Sequence, residues 1–196
     1  MAVDHAAVDP GDSYDGIADR AALAIGSPGL SLVLVGHSGA GGLLAGIAQR
    51  VRPAAVIFVD AILPHPGRSW LDTVPPGLGK RLRGLAREGR LPPWNRWFSD
   101  DPVARLIADE KVKAGLLAEM PAIPLAYLEA RAPDWPHPAC PCAYLQLSET
   151  YGREAIAARA GAWMVVREDL HHLALLSDPA RVAAILVKTA ESLAPA

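Results

Sequence analysis

Continuous apolar runs alternate with amphipathic segments along much of the chain. Residues 30–35 (LSLVLV) and 54–63 (AAVIFVDAIL) are rich in Val, Leu, Ile and Ala without polar alternation, which is typical of parallel strands buried on both faces. The helical segment LLAGIAQRV separates the two runs, so strand, helix and strand occupy only about 35 residues. The pattern predicts a βαβ unit with a right-handed crossover and hence a parallel sheet.

Two further runs extend this sheet. They are CAYLQLS (residues 142–148) and AWMVVRE (residues 162–168), with the helical segment EAIAARAG between them. A helix, YDGIADRAALAI, precedes the first strand, and another, DPARVAAILVKTAESL, closes the chain. We therefore predict the α/β class for a single domain over residues 1–196, with a mostly parallel sheet flanked by helices.

Residues 64–138 have a different character. Prolines interrupt this stretch repeatedly, and helical pieces such as GKRLRGLAREG lie between them. Four of the five tryptophans fall here: Trp70, Trp94, Trp97 and Trp135. The pattern predicts a helical cap inserted into the sheet domain, rather than more sheet.

Composition excludes several function classes. The formal net charge of −2 predicts that the protein has no basic surface and no nucleic-acid partner. We expect no membrane span, because no apolar run approaches ~20 residues, and no signal peptide at the N-terminus. Cys140 and Cys142 stand too close together for an easy disulfide, so we interpret them as reduced core residues of a cytoplasmic protein. No metal-ligand spacing or nucleotide motif is present, so we expect no metal and no cofactor.

Candidate chemistry centres on Ser38, at the point where the first apolar run gives way to a helix. The pentapeptide GHSGA matches the Gly-x-Ser-x-Gly nucleophile elbow except that Ala40, also small, stands at its last position. Such a turn projects the serine hydroxyl above the end of the sheet, and the helix start directs N–H groups at it. The N–H of Gly39 is the candidate donor to an oxyanion.

The same glycine-rich turn has alternative interpretations. It could be a strand-to-helix turn without chemistry, or one that holds a phosphate. A P-loop needs a lysine that this turn lacks, and a dinucleotide fingerprint needs a glycine where Leu44 stands.

Two adjacent histidines, His171 and His172, provide candidate bases. They follow the last predicted strand and precede the last predicted helix, where a serine–acid–histidine chain order puts the base. Neighbouring loop residues point in different directions, so we expect only one of them to reach the serine.

Taken together, the segments VLVGHSGAGG, FVDAILP and HLALLSDPARVAAIL, with the helical cap, resemble the α/β-hydrolase family over most of residues 14–194. In that family the base often lies seven residues before the proline that opens the final helix, which implies His172. His171 then stands where a glycine is usual. The resemblance implies that Glu149, after the strand that follows the cap, is the acid of a catalytic triad. Asp60 is the alternative, because some members hold the acid after the earlier strand.

The family resemblance implies a serine esterase that acts on an ester, thioester or lactone of a small hydrophobic molecule. His37, Trp70, Trp94 and Trp97 are the candidate substrate-binding residues. The alternative is a non-catalytic relative, or a biosynthetic cyclase or binding protein, that retains the pocket alone.

Two features expected of the family are missing. About four strands usually precede the elbow strand, whereas about 30 residues do so here, and no segment matches the loop that supplies a second oxyanion donor. The run at 30–35 would then form an unpaired apolar edge. We expect this edge to pair in a homodimer, to be covered by the N-terminal residues, or to reflect an N-terminally shortened product of a longer gene.

Overall fold

The computed structural model describes residues 13–26 and 32–193, which form two compact units. The first contains Tyr14–Pro64 and the chain from Trp135 onward, and the second contains His65–Asp134 with Ser13. The predicted single domain with an insertion at 64–138 stays a prediction. No helix in the described ranges combines the length and the hydropathy that a membrane span requires.

The described residues form six strands and nine α-helices, together with short 3₁₀ turns. The strands are β1 (Val33–His37), β2 (Ala55–Val59), β3 (Arg90–Leu91), β4 (Ile123–Pro124), β5 (Cys142–Gln146) and β6 (Met164–Arg167). The helices are α1 (Tyr14–Ile25), α2 (Leu44–Val51), α3 (Pro76–Leu85), α4 (Pro102–Leu106), α5 (Glu110–Glu119), α6 (Leu125–Glu129), α7 (Gly152–Ala160), α8 (Ala174–Ser177) and α9 (Pro179–Leu193).

The first unit is built on a parallel sheet with strand order β1-β2-β5-β6. Every residue of β2 and β5 is buried, because helices cover both faces of these central strands. Phe58 and Tyr144 pack with α2 and α7 on one face, whereas Ile57 and Leu145 pack with α8 and α9 on the other. The predicted α/β class, with a mostly parallel sheet flanked by helices, is confirmed.

Strand β1 lies at one end of this sheet and pairs with β2 alone among the described strands. It begins later than the predicted run at 30–35 and continues through His37, so the last strand residue directly precedes Ser38. Val35 is 46% exposed, although Leu34 beside it is buried. The homodimer through this edge stays a prediction.

The second unit is mainly helical, and α3 and α6 contribute to a core cluster that contains Leu71, Leu82, Leu91, Trp97 and Leu128. The expectation that it contains no sheet is wrong in one detail, because β3 and β4 form a short antiparallel pair.

Two glycines of the turn Ser38–Leu43 differ in the space around them. A Cβ at Gly41 would lie 2.0 Å from the carbonyl oxygen of Ile62, whereas a Cβ at Gly39 meets nothing within 4 Å. We expect Gly41→Ala to lower the free energy of unfolding by at least about 1–3 kcal/mol, because the backbone around Ile62 must move. Urea unfolding followed by circular dichroism measures this change.

Gly39→Ala is the matched control, since it adds the same methyl group two residues earlier in the same turn. We expect a free energy of unfolding close to that of the wild type. Equal stability of the two variants would contradict the assigned close approach between the turn and Ile62.

Candidate active site

Ser38 occupies the sharp turn that follows β1. Its φ of 56° lies in the left-handed region, which a residue with a side chain adopts only at a cost of order 1–3 kcal/mol. The backbone oxygen of Ser38 accepts a hydrogen bond from the N–H of Ile62, 3.1 Å away. Gly36, two residues before Ser38, lets the Leu44 side chain at the start of α2 approach β1 closely, because a Cβ at Gly36 would lie 2.7 Å from that side chain. The strained turn predicted around Ser38 is therefore present, with a 3₁₀ turn before α2.

His172 lies in the loop between β6 and α8, and each of its ring nitrogens has a partner. Nε2 is 3.0 Å from Oγ of Ser38, and Nδ1 is 3.1 Å from Oδ2 of Asp60. A neutral ring that carries its proton on Nδ1 donates to Asp60 and accepts from the Ser38 hydroxyl. The three side chains thus form a continuous hydrogen-bonded chain that can move a proton from the serine to the histidine.

Asp60 follows β2 with a φ of 41° and is completely buried. One carboxylate oxygen accepts from the N–H groups of Leu147 and Ser148, at 2.8 and 3.0 Å. The other oxygen accepts from the Ser148 hydroxyl at 2.5 Å as well as from His172. Burial alone would raise the pKa of Asp60, but the hydrogen bonds from His172, Ser148 and Leu147 outweigh it and hold the pKa below its ordinary value.

Glu149, the first choice of acid from the sequence, is not brought to His172. It is exposed and its carboxylate pairs with Arg167 at the surface. The chain turns into a 3₁₀ turn (Glu149–Tyr151) directly after Ser148, and the backbone N–H groups at this corner are directed to Asp60. The alternative acid from the sequence, Asp60, therefore occupies the position beside the histidine.

His171 also lies apart from the serine, since its Nε2 is 3.0 Å from the hydroxyl of Ser177. His37 contacts His172, and its predicted contact with substrate stays a prediction. Its Nε2–H donates to the carbonyl oxygen of His172 at 2.8 Å, and the two ring centroids lie 4.4 Å apart. Burial, followed by the charge of His172, lowers the pKa of His37 to about 4. His37 is thus a neutral donor that fixes the loop carrying His172.

Tyr151 was not singled out in the sequence, although it lies two residues beyond Glu149. Its ring stacks on His172, with centroids 5.0 Å apart and an angle of 14° between planes. Its hydroxyl oxygen lies 3.3 Å from Oγ of Ser38. Burial raises the pKa of the Tyr151 phenol to about 12, so the phenol keeps its proton at neutral pH.

The three candidate tryptophans belong to the second unit. Trp97 is buried there, donates from Nε1 to the carbonyl oxygen of Pro92, and meets Trp70 edge to face at 5.8 Å. Trp94 forms a similar pair with Phe98. These contacts make them part of the core of that unit, and their contact with substrate stays a prediction.

Gly39 is exposed directly after Ser38, and the oxyanion role of its N–H also stays a prediction. In the part of the chain that the structure describes, no group of three or more His, Cys, Asp or Glu side chains is arranged to hold a metal ion.

Comparison with known proteins shows which proteins share this fold. A family model described as the alpha/beta hydrolase family matches residues 4–185. Among solved structures, an extracellular alpha/beta-hydrolase from a Paenibacillus species, described as homologous to Tobacco Salicylic Acid Binding Protein 2, matches with a TM-score of 0.72 and 19% identity. The match covers 92% of this chain and 81% of that one.

A variant of the pyrethroid hydrolase PytH matches with a TM-score of 0.68 and 18% identity, over 94% of this chain and 80% of that one. AqDC, described in terms of ring-cleavage of the Pseudomonas quinolone signal, matches with a TM-score of 0.54 and 17% identity, over 95% and 76% of the two chains. No curated protein matches the chain.

The hydrogen bonds of Asp60 predict a pH-dependent stability. Because its pKa is lowered in the folded state, the ionised carboxylate stabilises the fold above about pH 4, and this contribution is lost as the pH falls through the folded-state pKa. We expect Asp60→Asn to lower the free energy of unfolding by about 1–3 kcal/mol at pH 7, with a smaller difference at pH 3. Urea unfolding at both pH values measures it.

Glu149→Gln is the matched control, because it neutralises a surface carboxylate one residue beyond Ser148. We expect little change at either pH, since exposed ion pairs contribute little. A pH-independent loss in Asp60→Asn would contradict the assignment of Asp60 as a buried anion.

A second prediction concerns His37. Because its folded-state pKa lies near 4, below the ordinary value near 6.5, its ring is expected to stay neutral throughout the range from pH 7 to pH 5. The neutral ring favours the fold above pH 6.5, and this contribution is lost as the pH falls toward 4. Nitrogen–proton correlation NMR of the imidazoles measures the midpoint, and a value near 6.5 would contradict the burial of the His37 ring beside His172.

Proposed function

Because the chain belongs to the alpha/beta hydrolase family, we propose that it is a serine hydrolase that cleaves carboxylic esters through Ser38, His172 and Asp60. The observation that carries the proposal is the continuous chain of hydrogen bonds from Ser38 Oγ through both ring nitrogens of His172 to Asp60. A nucleophile, a base within 3.0 Å of it and a buried anion that orients the base are the components of nucleophilic acyl transfer.

In the first half of the reaction, Ser38 Oγ attacks the carbonyl carbon of the ester while its proton moves to Nε2 of His172. The carbonyl π electrons move onto oxygen and form a tetrahedral oxyanion. When the carbonyl re-forms, the bond to the leaving oxygen breaks, and that oxygen takes the proton from His172. The alcohol departs, and the acyl group remains on Ser38.

In the second half, water repeats these steps. His172 Nε2 accepts a proton from water as its oxygen attacks the acyl carbon, and the collapse of the new tetrahedral intermediate returns the proton to Ser38 Oγ. The carboxylic acid product leaves, and the starting enzyme is restored.

Asp60 supports this cycle without touching the substrate. Its carboxylate accepts the Nδ1 proton of His172, which selects the tautomer whose Nε2 can act as a base. The negative charge also stabilises the imidazolium that forms when His172 holds the serine proton. The remaining bonds to Asp60, from Leu147 and Ser148, fix the carboxylate in place.

The proposed substrates are esters, thioesters or lactones of small hydrophobic molecules. The description of PytH as a pyrethroid hydrolase supports this class by analogy of fold. The family fold also carries other chemistry, since AqDC is described in terms of ring-cleavage. The second candidate function is therefore a relative that binds or transforms a small molecule without ester hydrolysis.

Labelling with a fluorophosphonate probe tests the nucleophile. We expect one adduct, located on Ser38 by peptide mass spectrometry, and hydrolysis of a short-chain fluorogenic ester that Ser38→Ala abolishes. A folded protein that is neither labelled nor active, but binds an aromatic ligand tightly, would support the second candidate function instead.

The two candidate acids are separated by the same assay. We expect Asp60→Asn to reduce kcat by roughly 10⁴-fold, because the histidine loses the partner that sets its tautomer. Glu149→Gln is expected to retain activity within about two-fold, because its carboxylate pairs with Arg167. The reverse ranking of the two variants would contradict the assignment of Asp60.

A further inference from the structure

We propose that Tyr151 is a catalytic residue whose phenol O–H donates a hydrogen bond to the oxyanion of the tetrahedral intermediate on Ser38. The inference rests on the proposed function, since it needs Ser38 to act as the nucleophile. It adds a side-chain donor to the proposed backbone donor, the N–H of Gly39.

The first argument is the position of the Tyr151 hydroxyl. Its oxygen lies 3.3 Å from Ser38 Oγ, the atom that forms the new bond to the substrate carbon. The Ser38 proton is directed to Nε2 of His172 at 3.0 Å, which leaves an Oγ lone pair to accept from the phenol. The oxyanion forms on the carbon bonded to Oγ, so it lies within reach of a donor already in contact with Oγ.

The second argument is the rigidity of the support. The Tyr151 ring stacks on His172, and the residue closes the 3₁₀ turn Glu149–Tyr151 just before α7. Ser148, which opens this turn, donates to Asp60 from both its N–H and its hydroxyl. Asp60 therefore holds both His172 and the turn that carries Tyr151, and the hydroxyl is held in place before the charge develops.

The third argument is the chemistry of the group. Because burial raises the pKa of Tyr151 to about 12, the residue is a neutral phenol at pH 7. It can stabilise the oxyanion by a hydrogen bond without transferring its proton. When Ser38 attacks the substrate carbonyl, the phenol exchanges acceptor, from the serine oxygen to the oxyanion that forms. The exchange gains energy only when negative charge appears, which is the condition for lowering the barrier.

Packing against His172 does not by itself account for this arrangement. A phenylalanine ring would stack on the imidazole equally well, whereas the hydroxyl of Tyr151 ends at the reacting oxygen. The substitution Tyr151→Phe therefore separates the two roles, because it keeps the ring over His172 and removes only the donor.

The test measures ester hydrolysis by the wild type, Tyr151→Phe and Tyr127→Phe. Tyr127 belongs to the second unit, and its replacement is the matched loss of a phenol hydroxyl. We expect Tyr151→Phe to lower kcat by roughly 100- to 1000-fold, the usual effect of one oxyanion donor, with KM within about three-fold. Tyr127→Phe is expected to keep the wild-type kcat.

A second measurement isolates the oxyanion. A trifluoromethyl ketone adds to the serine and forms a tetrahedral oxyanion, whereas the matching secondary alcohol binds without one. We expect Tyr151→Phe to weaken inhibition by the ketone by a factor similar to the loss in kcat, and to leave inhibition by the alcohol unchanged. A role limited to packing would affect both inhibitors alike or neither.

The outcomes distinguish this proposal from the proposed function. If the wild type hydrolyses the ester, Ser38→Ala is inactive and Tyr151→Phe is as fast as or faster than the wild type, the oxyanion role is overturned while the serine hydrolase stands. Equal ketone inhibition of wild type and variant overturns the role as well. A folded wild type that neither reacts with fluorophosphonate nor hydrolyses esters overturns the proposed function, and the oxyanion role with it.

Discussion

The site depends on the hydrogen bonds that the buried carboxylate of Asp60 accepts. A completely buried charge is unfavourable unless hydrogen bonds replace its lost hydration, and Asp60 accepts four of them. Each donor comes from a part of the chain that must be fixed for the site to exist. Leu147 and Ser148 lie at the end of β5, and His172 lies in the loop after β6. One buried anion at the end of β2 thus ties together the ends of three neighbouring strands.

The parallel sheet explains why these groups meet. In a parallel sheet the carboxyl ends of all strands lie along one edge, and residues far apart in sequence converge there. Ser38 follows β1 and Asp60 follows β2, and both have a positive φ. The burial of the central strands on both faces stabilises the fold, since burying each large apolar side chain contributes about 1.5–3 kcal/mol. The strained turns are held by that packing, so the site draws on the stability of the core.

The fold and part of the site follow from sequence patterns that are local. The apolar runs predict the strands, and the serine in its glycine-rich turn and the histidines before the final helix stand at recognisable places in the chain. Such patterns do not decide whether Glu149 or Asp60 is the acid beside His172, because both residues come just after a buried strand. That choice depends on the direction in which the chain turns after Ser148, which only the three-dimensional structure describes. The position of Tyr151 beside Ser38 does not follow from local patterns either, because the two residues are 113 positions apart in the sequence.

Ser38, Asp60, Tyr151 and His172 all belong to the first compact unit, and none belongs to His65–Asp134. The hydrogen bonds among these four residues involve no side chain of the second unit. The nucleophile, the base and the acid are therefore contributed by one unit of the fold. Selection on the proposed chemistry would then act first on residues of this one unit.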